Sequence, residues 1–415
     1  MHTPTLLLAL VLAGSALPAL AELPSYAPPQ LQARSNLLVN DNGYNLPPGS
    51  SFNSITADID DAGRVAFAVQ VVPDGASSTP GIWFGGNGSG SIVFRGPVDA
   101  LVSSAVRMND AGQVVFTLVE TGSADGIYRY DDALQSAERI GTAPVFPSSY
   151  SSAAINNSGD IGFQGSFGSG RGHASRAAAG GAALHVVDRS VDPGSSYTYL
   201  YTPNFDDART IVAKVATSAD FTTATEIRRF ASDGNSTRLA ANRGTDAASP
   251  IRQFDNSVGV SDSGRVAFVA TRFADNRRVV YRVDGAALSE IAVVDPAGLV
   301  REIDAFPPAI TDAGLVAFRG KDEDGQAIFV SDGTQLQRAV GKGDVLQTDL
   351  GKAQIGQNNS TDAVFAGAPS LNDTGDLAFV AALHPAGDNQ VEWGSGVFVA
   401  RASETIFADG FEQAL

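Results

Sequence analysis

The chain has 415 residues, no cysteine, and 28 Lys and Arg against 45 Asp and Glu, a formal charge of −17. Disulfides, thiol catalysis and zinc–thiolate sites are therefore excluded. So acidic a chain repels nucleic acid and anionic lipid, and no nucleic-acid partner is expected.

Residues 1–21 read as a secretory signal peptide. Leu6 to Leu12 forms a short apolar core, and Ala19-Leu20-Ala21 is a small-x-small cleavage site. Secretion to the periplasm or the exterior is the expectation. Pro4 and Pro18 bracket an apolar run too short for a membrane span, and no other stretch reaches span length. Residues 22–36, with Pro24, Pro28 and Pro29, read as a linker. Leu37 to Val39 reads as a short strand.

A unit then recurs to the end of the chain. Its anchor is a glycine at Gly63, Gly112, Gly159, Gly264, Gly314 and Gly375, with Arg209 in the equivalent place, at intervals of 47 to 61 residues. Two residues before the anchor stand Asp61, Asp110, Asn157, Asp207, Asp262, Asp312 and Asp373. Two after it stands an aliphatic residue, and four after it a Phe, replaced once by Ala213. The pattern predicts a hairpin. An apolar residue ends one strand, Asn or Asp shapes the turn through its side chain, and Gly supplies the left-handed conformation that closes it. Alternation such as Val316-Ala317-Phe318 then starts the return strand, with a bulky and a small face. Val316 and Phe318 are expected to face the next unit. At Arg209 a positive φ is unfavourable, so that turn is expected to take another shape.

Each unit carries a second hairpin, as in Gly81-Ile-Trp-Phe84 followed by Gly86-Asn87-Gly88, or Val280-Tyr281 followed by Asp284-Gly285. Four short strands in about 50 residues is the size of a propeller blade. The expected fold is an all-β, seven-bladed β-propeller over residues 37–405, with the N-terminal strand Leu37 to Val39 closing the last blade. Residues 406–415 form a tail. A monomer is expected.

The segment Asn372-Asp-Thr-Gly375-Asp-Leu-Ala378-Phe379 resembles the secreted bacterial tandem-repeat proteins named for their NxxGxxAF motif. The resemblance covers roughly residues 37–405, although only Asn109, Asn156 and Asn372 keep the Asn. It implies export and repeat architecture. That family has no established activity, so the resemblance supplies no catalytic residues.

Candidate sites fall into three sets. The turn residues Asp61, Gly63, Asp110, Gly112, Asp262, Gly264, Asp312, Gly314, Asp373 and Gly375 read as structural. With Asp60, Asp206 and Asp207, their carboxylates would ring one mouth of the central channel; turn capping is the leading reading and no cofactor is expected, Ca²⁺ being the alternative that carboxylate and carbonyl oxygens suit. The second set lies at the start of each unit: Phe52, Tyr150, Tyr199, Phe254, Phe306 and Phe365, with Leu101 in the second unit. These aromatics suit stacking on a sugar or gripping a peptide, and they equally suit packing within the scaffold. The third set is the irregular parts, 186–204, 341–367 and 384–394, where a function is most naturally sought. No Gly-x-Ser-x-Gly, His-Glu-x-x-His or phosphate loop occurs, and His173, His185 and His384 sit in weakly patterned stretches. The leading expectation is a binding scaffold for an extracellular glycan or protein. The alternative is a polysaccharide hydrolase or lyase, which would need a funnel holding two carboxylates about 5–10 Å apart.

Overall fold

Period-two alternation of bulky and small residues is read out as strands stacked in blades. A computed structural model describes residues 23–35, 43–52, 56–72, 77–102, 106–119, 125–357 and 363–403, and all its regular elements are strands. Seven antiparallel sheets of four to six strands form a seven-bladed β-propeller. In each blade the innermost strand runs to the anchor turn, the second strand returns from it, and two more strands follow outward. Blade 5 shows the plain form, with Ile251–Val260, Val266–Arg272, Arg278–Asp284 and Ala287–Val293 in order. In blades 1, 2, 4 and 6 the innermost strand is broken into two short pieces, as with Glu302–Ile303 and Ala309–Ile310.

The Phe four residues beyond the anchor fills the middle of each blade. Phe67, Phe116, Phe163, Phe268, Phe318 and Phe379 are all buried. In five blades this Phe pairs across the ladder with an aromatic of the third strand, as Phe318 with Phe329 at 5.4 Å and Phe379 with Phe398 at 5.5 Å. Such stacked pairs add about 1 kcal/mol beyond their burial. The bulky face meets the small face of the blade before it, not the blade after. Phe318 shares a cluster with Ala267 and Val269 of blade 5, while Ala317 is clustered with Phe379 of blade 7.

Two further expectations are corrected. The strand that closes blade 7 is Gln30–Arg34, inside the stretch read as a linker. It pairs antiparallel with Gly394–Ala400, and its Gln-Leu-Gln-Ala-Arg sequence has too few apolar residues to show as a strand without its partner. Leu37 to Val39 lies outside the described residues, as do residues 1–21 and the tail. The turn at Arg209 keeps the common shape. Arg209 stands at φ 60°, beside 70° to 88° for the six glycines, and its N–H bonds the Asp206 carbonyl at 3.0 Å as theirs do. The closure of the ring overrides the local cost.

Closure is reinforced by a latch. Arg34, fully buried, donates to Asp349 from Nε at 2.9 Å and from Nη2 at 2.8 Å. Asp349 caps an inserted hairpin, Val345–Thr348 and Gly351–Ile355, which extends blade 7 beside the long strand Leu377–Pro385. A second short pairing, Ser25–Tyr26 with Ala402–Ser403, ties the two ends of the described chain together.

Candidate functional site

At the turn end of the channel, the repeated polar residues are joined into one circuit. The residue three before each anchor caps its own turn. Its side chain accepts the N–H four residues on, as in Asp60 from Arg64 at 2.8 Å, Asn109 from Gln113 at 3.0 Å and Thr311 from Leu315 at 3.1 Å. Where this residue is Asn, its amide also donates to the next blade. Asn109 reaches the Asn156 carbonyl at 2.9 Å, Asn156 the Asp206 carbonyl at 3.2 Å, and Asn372 the Asp60 carbonyl at 2.7 Å. The residue two before the anchor, expected to shape its own turn, instead bridges blades. The Asp110 carboxylate accepts the Asp61 N–H at 2.9 Å, Asp312 accepts from Ser263 at 2.6 Å, Asp373 from Asp312 at 2.7 Å, and Asp61 from Asp373 at 2.8 Å. Asn157 and Asp207 continue the circuit at 3.0 and 2.9 Å.

These bonds hold carboxylates close together in a poorly solvated place. Burial, then the neighbouring Asp207, Asp373, Asp110 and Asp312, pushes Asp262 up to about 7. Burial and Asp312 push Asp373 up to about 6. The cavity beneath is about 130 Å³ and is lined from all seven blades, including Asp58, Asp61, Arg107 and Asp262. That is room for a few waters or one small ring, not an oligosaccharide. Among the described residues, no group of three or more His, Asp or Glu is placed to hold a metal ion. The ring carboxylates are acceptors in a clasp, and the geometry accounts for them without a ligand.

At the opposite, linker end, the six aromatics divide. Four pack edge-on against their own blade's central Phe: Phe52 on Phe67 at 5.3 Å, Tyr150 on Phe163 at 5.6 Å, Phe254 on Phe268 at 5.2 Å and Phe365 on Phe379 at 6.0 Å. A fifth, Phe306, covers the buried guanidinium of Arg319 at 3.7 Å. That guanidinium tethers blades 6 and 7 through the Phe365 and Gly367 carbonyls at 2.9 and 2.7 Å.

Tyr199 is different. Its ring lies 4.7 Å from Tyr201 and 5.2 Å from Phe221, and the Arg171 guanidinium sits 4.1 Å above it. Phe221 is 43% exposed and held at φ 62°, a conformation a bulky side chain takes only when its surroundings force it. The forcing residues are visible in Ser218-Ala-Asp220-Phe-Thr-Thr223. Asp220 accepts bonds from the Ser218 hydroxyl at 2.7 Å and the Thr222 and Thr223 N–H groups at 3.1 and 3.0 Å. Tyr201 then donates its hydroxyl to the Phe221 carbonyl at 2.9 Å. Sequence reasoning placed Tyr199 within an irregular linker but missed Phe221. A lone Phe in a polar Ser-Thr-Asp loop was the available signal. The patch continues towards blade 5: Asn242, at the end of blade 4, bonds the Thr223 carbonyl at 2.9 Å and the Arg252 carbonyl of blade 5 at 3.4 Å, and the next residue, exposed Arg243, lies 3.8 Å over Phe273 of blade 5, itself 46% exposed.

The three described histidines are buried. Burial pushes His173 down to about 3, and its Nε2 lies 3.0 Å from the Tyr201 carbonyl. His185 pairs with Ser175 at 2.8 Å, but Ser175 is fully buried between blades 3 and 4. His384 lies in the strand Leu377–Pro385 of blade 7, opposite Gln354 of the inserted hairpin. No described helix is long and apolar enough to cross a membrane.

Architecture and ring closure define the class: a seven-bladed propeller closed by an N-terminal strand. The chain belongs to DUF7453, a family of unknown function, which matches residues 32–181 and 172–413. Among solved structures it is similar to the β-propeller domain of the Trilobed protease from Pyrococcus furiosus, at 11% identity and TM-score 0.55, with 88% of this chain and 98% of that one covered. It is also similar to a prolyl endopeptidase, at 11% identity and TM-score 0.50, where 84% of this chain spans 50% of the other. At such identity the likeness shows the fold alone. No curated protein matches the sequence.

Proposed function

We propose that this protein is an exported β-propeller that binds a glycan or protein ligand at or outside the bacterial cell surface, through the linker end of blades 3 to 5. The observation that carries this reading is Phe221. A repeated scaffold has no structural use for one exposed aromatic in a strained conformation, packed against Tyr199, in a single blade. Strain of this kind costs about 1–3 kcal/mol and persists where presentation of the side chain matters. The signal-peptide pattern of residues 1–21 supports export. The scaffold reading is favoured over hydrolysis because the carboxylates at the channel mouth are engaged as acceptors in the clasp, above a cavity of about 130 Å³.

The test is a glycan array and a purified envelope-component panel probed with the secreted form, with and without Ca²⁺. Binding is expected that falls at least tenfold in Phe221→Ala with its melting temperature preserved. Absence of binding to every glycan and component would overturn the reading.

A further inference from the structure

Resting on that reading, we infer that the ligand of this face is a carboxylated polysaccharide, of the uronic-acid-bearing class. Two chemistries meet at the patch. The first is exposed aromatic surface: Phe221, propped on half-buried Tyr199, and, one blade on, Phe273. Pyranose rings present C–H faces that pack on such surfaces. The second is cationic. Arg171 and Arg243 each lie against an aromatic ring, at 4.1 and 3.8 Å, and among the described residues neither has a carboxylate partner.

Most arginines of this chain are held by Asp or Glu, as Arg272 is by Asp275 at 2.6 Å and Arg338 by Asp344 at 2.9 Å. Arg171 gives one in-plane donor to the Leu200 carbonyl at 3.4 Å; its other donors, and those of Arg243, have no carboxylate partner among the described residues. A guanidinium fork matches a carboxylate, and stacking pre-orients it. The nearest acid of the loop, Asp220, is engaged by Ser218, Thr222 and Thr223. The chain's net charge of −17 opposes any polyanion, so recognition has to come from paired contacts in this patch, not from long-range attraction. The two arginine–aromatic units flank blade 4: Arg171 of blade 3 packs on Tyr199 of blade 4, and Arg243, at the end of blade 4, packs on Phe273 of blade 5. Such a layout fits successive residues of a polymer better than a single small anion.

The experiment compares polygalacturonate, the same polymer fully methyl-esterified, and poly-L-glutamate, by calorimetry and co-sedimentation at low and high salt. The expected result is binding of polygalacturonate, at least tenfold weaker binding of the ester, and loss in the Arg171→Gln/Arg243→Gln variant with unchanged melting. Equal binding of acid and ester, insensitive to the arginines, overturns the acidic assignment while leaving a glycan-binding propeller. Poly-L-glutamate bound as well as polygalacturonate overturns the sugar assignment. Binding of none of the three overturns this inference, and the glycan array then decides separately whether the face binds anything.

Discussion

At the scale of single residues, one position in the fold does two opposed things. The anchor of each turn needs positive φ, which glycine adopts freely. Arg209 adopts it at φ 60° and gains in return an ion pair with Asp160 at 3.0 Å. Its side chain is 41% exposed, so that pair is worth little. Arg209→Gly is therefore expected to raise stability by about 1 kcal/mol, read as a shift of the urea midpoint with unchanged slope. Phe318 is the opposite case. It is fully buried, stacked on Phe329 and pressed against the small face of blade 5. Phe318→Ala is expected to cost about 3–5 kcal/mol through lost burial and the cavity left behind. Unchanged unfolding in urea would show that this ring does not carry the blade interface.

At the scale of elements, what could be read ahead was whatever repeats. Anchor glycines, the aliphatic residue two on and the Phe four on are local signals, and together they gave blade number and strand order. Two things depend on partners far away in sequence. Gln30–Arg34 is a strand only because Gly394–Ala400 offers it an edge some 360 residues on. The bridging role of Asp110 or Asp373 appears only when neighbouring turns are brought side by side, since both residues also fit a capped turn on their own. Phe221 was hidden for a third reason: its strain comes from an Asp220-centred loop, and φ is not written in composition. The closing strand also yields a prediction. Arg34 is buried and held by Asp349, so removing its charge leaves a carboxylate unpaired at the seam. Arg34→Met is expected to destabilise by about 3 kcal/mol. It should also expose the N-terminal strand to limited proteolysis before the rest of the chain.

At the scale of the whole molecule, the ring of turns has to hold seven blades shut while bringing like charges together. The aliphatic and aromatic stacking between blades supplies the drive to close, and the carboxylates fix the register at the mouth. Their electrostatics set a pH dependence whose sign can be worked out. Asp262 and Asp373 have folded-state values pushed up, to about 7 and about 6, from 3.8. Between pH 4 and 7 the folded ring thus binds more protons than the unfolded chain, so its contribution to stability falls as pH rises through that window and levels off above it. Carboxylates held low elsewhere, such as Asp275 beside Arg272, work in the other direction at lower pH, so the total curve alone is not diagnostic. The comparison that isolates the ring is Asp262→Asn/Asp373→Asn. Asn keeps an acceptor oxygen, as Asn157 does naturally at this position for the Asp110 N–H. Relative to wild type, the double variant is expected to be more stable at pH 8 by roughly 2 °C in Tm, with the advantage shrinking steadily towards pH 5 as the native carboxyls take up protons. A constant difference across the range would mean that these two groups are not charged neighbours in the folded ring. A lower Tm at pH 8 would mean that their charge, rather than their oxygens, closes the propeller.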